Sequence, residues 1–161
     1  MAGCPDCPDI GYCIERAECG HEASAKLPRA AISIRAPWWW LILHGGKDIE
    51  NRDWPTRYRG PVLIHASKWF KPDEVQDDFG TAKAIAAQAG VTLPSVTLRD
   101  LRDGCGTLVG TAEITDCVED STSPWFFGRY GFVLARTQPL IARIPCKGAL
   151  GFFRPNMEAP P

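Results

Sequence analysis

The sequence predicts an α+β fold, a small β-barrel with helices at its side. Short apolar runs of strand type alternate with helical stretches in the order strand, helix, two strands, helix and three strands. Fourteen prolines and fifteen glycines in 161 residues require many turns and short elements. A hydrophobic content of 45% and a charged content of 23% are ordinary for one globular domain of this length.

The first elements are a strand and a tryptophan-rich helix. Residues 31–35 alternate between apolar and polar side chains, which is typical of a half-buried strand. Pro37 suits the first turn of a short helix over 38–44, which Gly45 and Gly46 end. The i, i+3, i+4 spacing in this helix predicts that most of its tryptophans belong to the core.

The remaining elements follow from composition and turn residues. Residues 47–54 and 62–66 are predicted strands, and the second is apolar enough to be buried. An alanine-rich stretch over 74–89 predicts a helix that Gly90 ends, and 98–103 predicts a short helical turn. The last predicted strands cover 106–118, 129–135 and 149–153, with a proline-punctuated arm over 139–147 between the last two.

Charge is distributed unevenly although the net charge is only −1. The segment Arg29–Lys71 contains eight basic and three acidic residues. The segment Pro72–Asp120 contains three basic and ten acidic residues. A basic region suits a phosphate-bearing partner, but solvated ion pairs would have the same composition, so charge alone leaves both open. No segment approaches the ~20 apolar residues that span a bilayer, so no membrane partner is expected. Residues 1–20 do not resemble a signal peptide, which predicts a cytoplasmic protein.

The N-terminal residues are rich in cysteine. Cys4 and Cys7 form a C-x-x-C pair, a frequent half of a zinc site, and Cys13 and Cys19 supply a more widely spaced second pair. In a reducing cytosol such clustering favours metal over disulfides. A structural zinc ion is therefore one hypothesis and a segment with free thiols is the alternative, while the domain itself requires no cofactor. The predicted organisation is an extension over 1–28, a domain over 29–155 and a tail over 156–161.

The segment Gly45–Asp53 contains the clearest functional signal. It places a lysine, carboxylates and a guanidinium within six residues, next to large aromatic side chains. In an extended backbone Glu50 and Arg52 would share one face, and Lys47 would lie on the other. Charges beside a core cost free energy unless they are paired or serve a ligand, so this segment is the place to look for function.

Several motifs in chain order resemble the ASCH domain family. They are Ser33-Ile34-Arg35-x-Pro37-Trp38, G-x-K-x-x-E-x-R from Gly45 to Arg52, the run from Arg59 to Ser67, the run from Gly110 to Cys117, and the run from Pro145 to Phe152. The resemblance covers roughly Ala30 to Arg154. It implies a PUA-like fold, in which a small β-barrel with flanking helices has a cleft where a nucleic acid or nucleotide is expected to bind.

The resemblance implies that the G-x-K-x-x-E-x-R segment lines the cleft near Glu113, with His65 and Ser67 closing one side. The predicted function is binding of RNA or of a modified nucleoside or nucleotide, since basic groups neutralise phosphates and aromatic rings stack on bases. Four of the six tryptophans are expected in the core, and Trp54 and Trp125, each beside a proline, are expected at the surface. The predicted binding residues are Lys47, Glu50, Arg52, Trp54, Arg57, Arg59, Ser67 and Lys68.

Catalysis is the alternative function. More distant small ASCH proteins remove the acetyl group of N4-acetylcytidine, and their lysine and glutamate are matched by Lys47 and Glu113, while Glu50 replaces their threonine. Two nearby carboxylates would keep Lys47 protonated, which favours a charged ligand-binding group over a base. A ribonuclease that uses His65 or Lys47 is a further alternative. The last alternative is a purely structural role, in which Lys47 pairs with Glu50 and Arg52 pairs with Glu113 to join the strands.

Overall fold

The computed structural model describes residues 27–156, so nearly all of the predicted cysteine-rich extension lies outside the described residues. Six strands and two helices follow one another in the predicted order, and the helical turn predicted over 98–103 forms a third helix. None of these helices is long and apolar enough to cross a membrane. The elements are β1 (Ala31–Ile34), α1 (Trp38–His44), β2 (Ile49–Arg52), β3 (Gly60–Ala66), α2 (Pro72–Gln88), α3 (Leu98–Gly104), β4 (Thr107–Val118), β5 (Tyr130–Pro145) and β6 (Phe152–Phe153).

The six strands form one curled sheet in the order β2-β5-β4-β3-β1-β6. β1 and β3 are parallel, and every other neighbouring pair is antiparallel. The curl brings β2, at one edge, close to β1 near the other edge. Arg52 on β2 donates to the carbonyl oxygen of Ser33 on β1 at 2.8 Å. Trp54, which follows β2, also packs edge-on against Phe152 on β6, with ring centroids 5.7 Å apart. The predicted α+β, PUA-like fold is thereby confirmed.

The main core lies between one face of this sheet and the three helices. The sheet contributes Ile32, Ile34, Val62, Ile64, Ala112, Ile114 and Phe132, and the helices contribute Trp39, Leu41, Ile42, Val75, Ala82, Ala86 and Leu101. A smaller cluster of Ala31, Leu63, Leu108 and Cys146 packs separately from this core. Because β1 and β3 alternate between the two clusters, their side chains are buried on both faces, which makes this pair of strands a firm support for the neighbouring cleft.

Three predicted strands differ clearly from the structure, and the last, predicted over 149–153, covers only Phe152–Phe153. The strand predicted over 47–54 is shorter, so Lys47 precedes β2 instead of belonging to it. The strand predicted over 129–135 is longer and continues to Pro145, through most of the predicted arm. β2 pairs only with Tyr130 to Val133, so the distal half of β5 is an edge, where prolines are tolerated.

Candidate functional site

A cleft of about 340 Å³ opens beside β2, where the curled sheet leaves a gap between this strand and β1. Ligand pockets in proteins commonly measure about 300–1,000 Å³, so the cleft is large enough for a small ligand. Its lining combines polar, charged and aromatic residues. They are Ser33, Arg35, Trp38, Lys47, Glu50, Asn51, Arg52, Asp53, Trp54, Phe127 and Gly128.

The end of α1 directs the chain into the cleft. The amides of Gly45 and Lys47 both donate to the carbonyl oxygen of Leu41, at 2.8 and 3.1 Å. Gly46 has a φ of 71°, in the left-handed region that favours glycine at a helix C-terminus. A Cβ atom on Gly45 would lie 2.9 Å from the Leu41 side chain. Both glycines are therefore needed to fold Lys47 back against the helix end.

Lys47, Glu50 and Arg52 form a connected chain of ion pairs in the lining. Lys47 Nζ lies 3.3 Å from Glu50 Oε2, and Arg52 Nη2 lies 3.1 Å from Glu50 Oε1. Lys47 and Glu50 are only 2% and 8% exposed. Buried charges are stable only when they are compensated, and here one carboxylate compensates two cations.

The Lys47 ammonium has one N–H left for a ligand. Nζ donates to the carbonyl oxygen of Ile49 and to Glu50, which accounts for two of its three N–H groups within the described residues. Burial lowers the pKa of Lys47, and the charge of Glu50 opposes this shift. The expectation of a protonated lysine relied on a second nearby carboxylate, Glu113.

Glu113 does not lie in the cleft, contrary to the prediction from family resemblance. It accepts a hydrogen bond from Arg136 Nε at 2.7 Å, and the two side chains line a larger groove of about 700 Å³. The predicted ion pair between Arg52 and Glu113 is therefore wrong, since Arg52 pairs with Glu50. The reason is the strand order, because β5 separates β4, which carries Glu113, from β2.

Three aromatic side chains line the cleft. The rings of Trp38 and Phe127 are tilted against each other, with centroids 5.9 Å apart. Trp54 is held edge-on by Phe132 and Phe152, at 5.1 and 5.7 Å. Phe127 is 48% exposed, so part of an aromatic face is free to contact a ligand.

The loop that carries Phe127 is fixed to β2 by one side chain. Asn51 Nδ2 donates to the carbonyl oxygen of Trp125, and the Phe127 amide donates to Asn51 Oδ1, both at 2.9 Å. This arrangement buries Trp125, which is 3% exposed, so its predicted exposure is wrong. Three tryptophans are buried and not four; they are Trp39, Trp40 and Trp125.

Half of the predicted binding residues lie outside the cleft. Arg57 and Lys68 are exposed elsewhere, and Arg59 pairs with Asp116 at 2.9 Å. The hydroxyl of Ser67 accepts from the backbone amide two residues further on, at 3.2 Å. The structure brings together four of the eight, which are Lys47, Glu50, Arg52 and Trp54.

His65 does not line the cleft either, because alternation along β3 places it with the smaller apolar cluster. Its Nε2 donates to the carbonyl oxygen of Cys146 at 3.0 Å, and its Nδ1 lies 3.0 Å from the Ser33 hydroxyl. A carbonyl can only accept, so Nε2 carries a proton. The Ser33 hydroxyl donates to the carbonyl oxygen of Ala149 at 3.2 Å. Burial lowers the pKa of His65. The ribonuclease alternative loses one of its two candidate residues.

Sequence reasoning missed several lining residues. Arg35 directly follows β1, and a basic residue at the end of an alternating apolar run was a signal that could have found it. Trp38 was expected in the core because it shares a helix face with Leu41. Phe127 lies among turn-forming residues and belongs to no predicted helix or strand. An aromatic side chain in such a loop was a signal of an exposed ring that could have found it. Asn51, in contrast, has no local signal, since its role depends on a loop far away in sequence.

Cys4, Cys7, Cys13 and Cys19 lie outside the described residues, so the zinc hypothesis stays a prediction. It is tested by metal analysis of the purified chain. About one equivalent of zinc would support a site, whereas a stable protein that contains no metal would contradict it.

The curled sheet and its cleft define a PUA-like domain of the ASCH type. The sequence profile of the ASCH domain matches residues 32–129, which is more than half of the chain and includes every residue of the cleft. The chain therefore belongs to the ASCH domain family, whose PUA-like fold is associated with RNA binding.

Two curated relatives extend this comparison. Activating signal cointegrator 1 of Homo sapiens is 28% identical over 131 residues, and the match covers 73% of this chain and 20% of that protein. Activating signal cointegrator 1 of Mus musculus is 27% identical over 126 residues, with the same coverage of 73% and 20%. The chain thus spans about a fifth of the length of the curated relatives it matches.

Proposed function

We propose that the cleft binds one nucleotide of RNA, or a free modified nucleoside or nucleotide. One observation carries this proposal: a buried ion-pair chain and three aromatic side chains line the same cleft of about 340 Å³. Aromatic rings stack on unpaired bases, while charged and amide groups bind base edges and phosphates.

The polar lining offers both donors and an acceptor to a base. The remaining N–H of Lys47 can donate, and Arg52 Nε is buried without a hydrogen-bond partner among residues 27–156. Glu50 retains lone pairs that can accept from an amino group of a base. A buried donor without a partner costs about 1–3 kcal/mol, and a ligand that supplies an acceptor would recover part of this cost.

The experiment is a titration of the purified chain with nucleosides, nucleotides and short RNA at low salt, where phosphate attraction is strongest. Loss of the stacking surface in Trp38→Ala is expected to weaken binding by about 1–3 kcal/mol. Arg52→Gln should also weaken it, whereas the matched control Arg136→Gln removes an arginine–glutamate pair outside the cleft and should not. Unchanged affinity in folded Trp38→Ala and Arg52→Gln would contradict the proposal.

A second candidate is hydrolysis of an N4-acylated cytidine, because Lys47 lines the cleft and burial lowers its pKa, which increases the fraction of the neutral amine. A neutral Lys47 would take a proton from a water molecule that attacks the amide carbonyl, and would return a proton to the departing amine. Incubation with N4-acetylcytidine would then yield cytidine and acetate. Lys47→Met should abolish this turnover while Glu113→Gln retains it; absence of product from the unmodified chain would exclude the activity.

A further inference from the structure

A second group of aromatic and basic side chains lies beside the cleft, on the turn between β3 and α2. The guanidinium of Arg35, a lining residue, lies 4.6 Å from the centre of the Trp69 ring. Lys71 Nζ lies 5.5 Å from the centre of the same ring. Trp69 and Lys71 do not line the cleft, so Arg35 is the side chain that connects the cleft with this second group.

The turn that carries Trp69 is fixed to the strand that carries Arg35. The Ser67 amide donates to the carbonyl oxygen of Ile34 at 2.9 Å, and the Trp69 amide donates to Ser67 Oγ at 3.2 Å. One backbone hydrogen bond therefore joins the turn to the residue before Arg35, and one hydrogen bond to a side-chain hydroxyl orders the turn at Trp69. A surface that is ordered before binding loses little conformational entropy when a ligand arrives.

The charge of Arg35 is available to a ligand. Arg35 is exposed, and within residues 27–156 it forms no salt bridge, whereas Arg59 is paired with Asp116. Lys71 does pair with Glu74 at 2.8 Å, but the two side chains are 64% and 49% exposed, so this pair competes with solvent. An unpaired guanidinium beside an indole ring is suited to a phosphate that is followed by a stacked base.

We propose that a single-stranded nucleic acid leaves the cleft over Arg35 and places its next nucleotide on Trp69, with Lys71 beside that nucleotide's phosphate. This second nucleotide subsite rests on the proposed function of the cleft. The chemistry it recognises, a phosphodiester-linked nucleotide, is shared by RNA and single-stranded DNA. Lys83 lies 5.0 Å over Phe79 on α2 and does not line the cleft, so it offers a matched control for a cation on an aromatic ring.

The test compares a mononucleotide with an oligonucleotide of about four nucleotides, within the site sizes of single-strand binding proteins. The unmodified chain is expected to bind the oligonucleotide more tightly. Trp69→Ala should reduce oligonucleotide affinity by about 5-fold to 150-fold, the equivalent of one lost base stack, and leave mononucleotide affinity unchanged. Lys83→Gln should change neither affinity.

A second variant tests the same subsite without removing a half-buried ring. Lys71→Gln replaces an exposed side chain and should reduce the slope of log K against log salt by about 0.7, the value for one phosphate contact on a single strand. Oligonucleotides with ribose and with deoxyribose are both titrated. Tighter binding of the ribose oligonucleotide would identify RNA as the ligand of the subsite. Equal binding would show that the subsite accepts both RNA and single-stranded DNA.

Three outcomes would overturn the assignment. Equal affinity for the mononucleotide and the oligonucleotide would exclude a second subsite while leaving the cleft function intact. Loss of mononucleotide affinity in Trp69→Ala would mean that this ring supports the cleft. If Arg129→Gln alone removed the preference for the longer oligonucleotide, the nucleic acid would leave the cleft past Arg129, which lies 5.2 Å over the Tyr130 ring, and not past Arg35. If the unmodified chain binds neither ligand, the proposed function itself fails.

Discussion

The cleft and the larger groove each contain one glutamate–arginine pair, but the two pairs differ in burial. In the cleft Glu50 and Arg52 have side chains that are 11% and 20% exposed, whereas in the groove Glu113 and Arg136 are 29% and 72% exposed. The groove is nevertheless the larger space, at about 700 Å³ against about 340 Å³. Burial of charge, and not volume, therefore distinguishes the candidate site, because buried ions are costly and tend to occur where a ligand uses them.

The largest expected difference between the two pairs is in stability. Glu50→Gln removes the carboxylate that pairs with both Lys47 and Arg52, and loss of one partner from a buried pair costs about 3–5 kcal/mol. Glu113→Gln removes an exposed pair and should cost about 0–1 kcal/mol. Urea unfolding of both variants measures the difference. Equal losses would show that the two pairs contribute the same free energy and that burial does not distinguish them.

The next effect concerns the loop over the cleft. Asn51→Ala removes two hydrogen bonds that hold Trp125 and Phe127, one partly buried and one exposed, and such a hydrogen bond contributes about 0.5–1.5 kcal/mol net. Thr115→Val removes one exposed hydrogen bond, from the Thr115 hydroxyl to the Val133 carbonyl, and serves as the control. Unfolding free energies and amide hydrogen exchange around Phe127 would report the result. Exchange in the loop that is no faster in Asn51→Ala would argue against this role.

A smaller effect is expected in acid. Burial lowers the pKa of His65 from its ordinary value of 6.5, so the unfolded chain takes up a proton at a higher pH than the folded chain. The contribution of neutral His65 to stability is complete above about pH 6.5, and it is lost as the pH falls towards the folded-state pKa. His44 contributes with the same sign, since burial also lowers its pKa. Urea unfolding at several pH values should show a flatter profile for His65→Asn, with His44→Gln for comparison; an unchanged profile in His65→Asn would refute the assignment.

The smallest expected effect compares two exposed arginines in binding alone. Arg35→Gln should reduce the slope of log K against log salt for a single-stranded oligonucleotide by about 0.7, because one phosphate contact is lost. Arg136→Gln, beside the groove, should leave that slope unchanged. The measurement is an anisotropy titration at several salt concentrations. Equal slopes in the two variants would show that Arg35, beside the cleft, contacts phosphate no more than Arg136, beside the groove.

Most of the fold could be predicted because its signals are local. Alternation predicted β1, the alanine-rich stretch predicted α2, and the glycine pair after α1 predicted the turn into Lys47, each from neighbouring residues. The length of β5 was not predictable from its prolines, since prolines are favoured on sheet edges and β5 becomes an edge only where β2 ends.

Local sequence patterns specify the elements, their order, and the short segment in which Lys47, Glu50 and Arg52 are close enough to interact. Which distant residues join this segment depends on long-range packing. Strand order places β5 between β2 and Glu113, and curling of the sheet brings Ser33 to Arg52. Periodicity and turn chemistry act over a few residues, whereas strand order and curl result from the packing of the whole sheet against its helices.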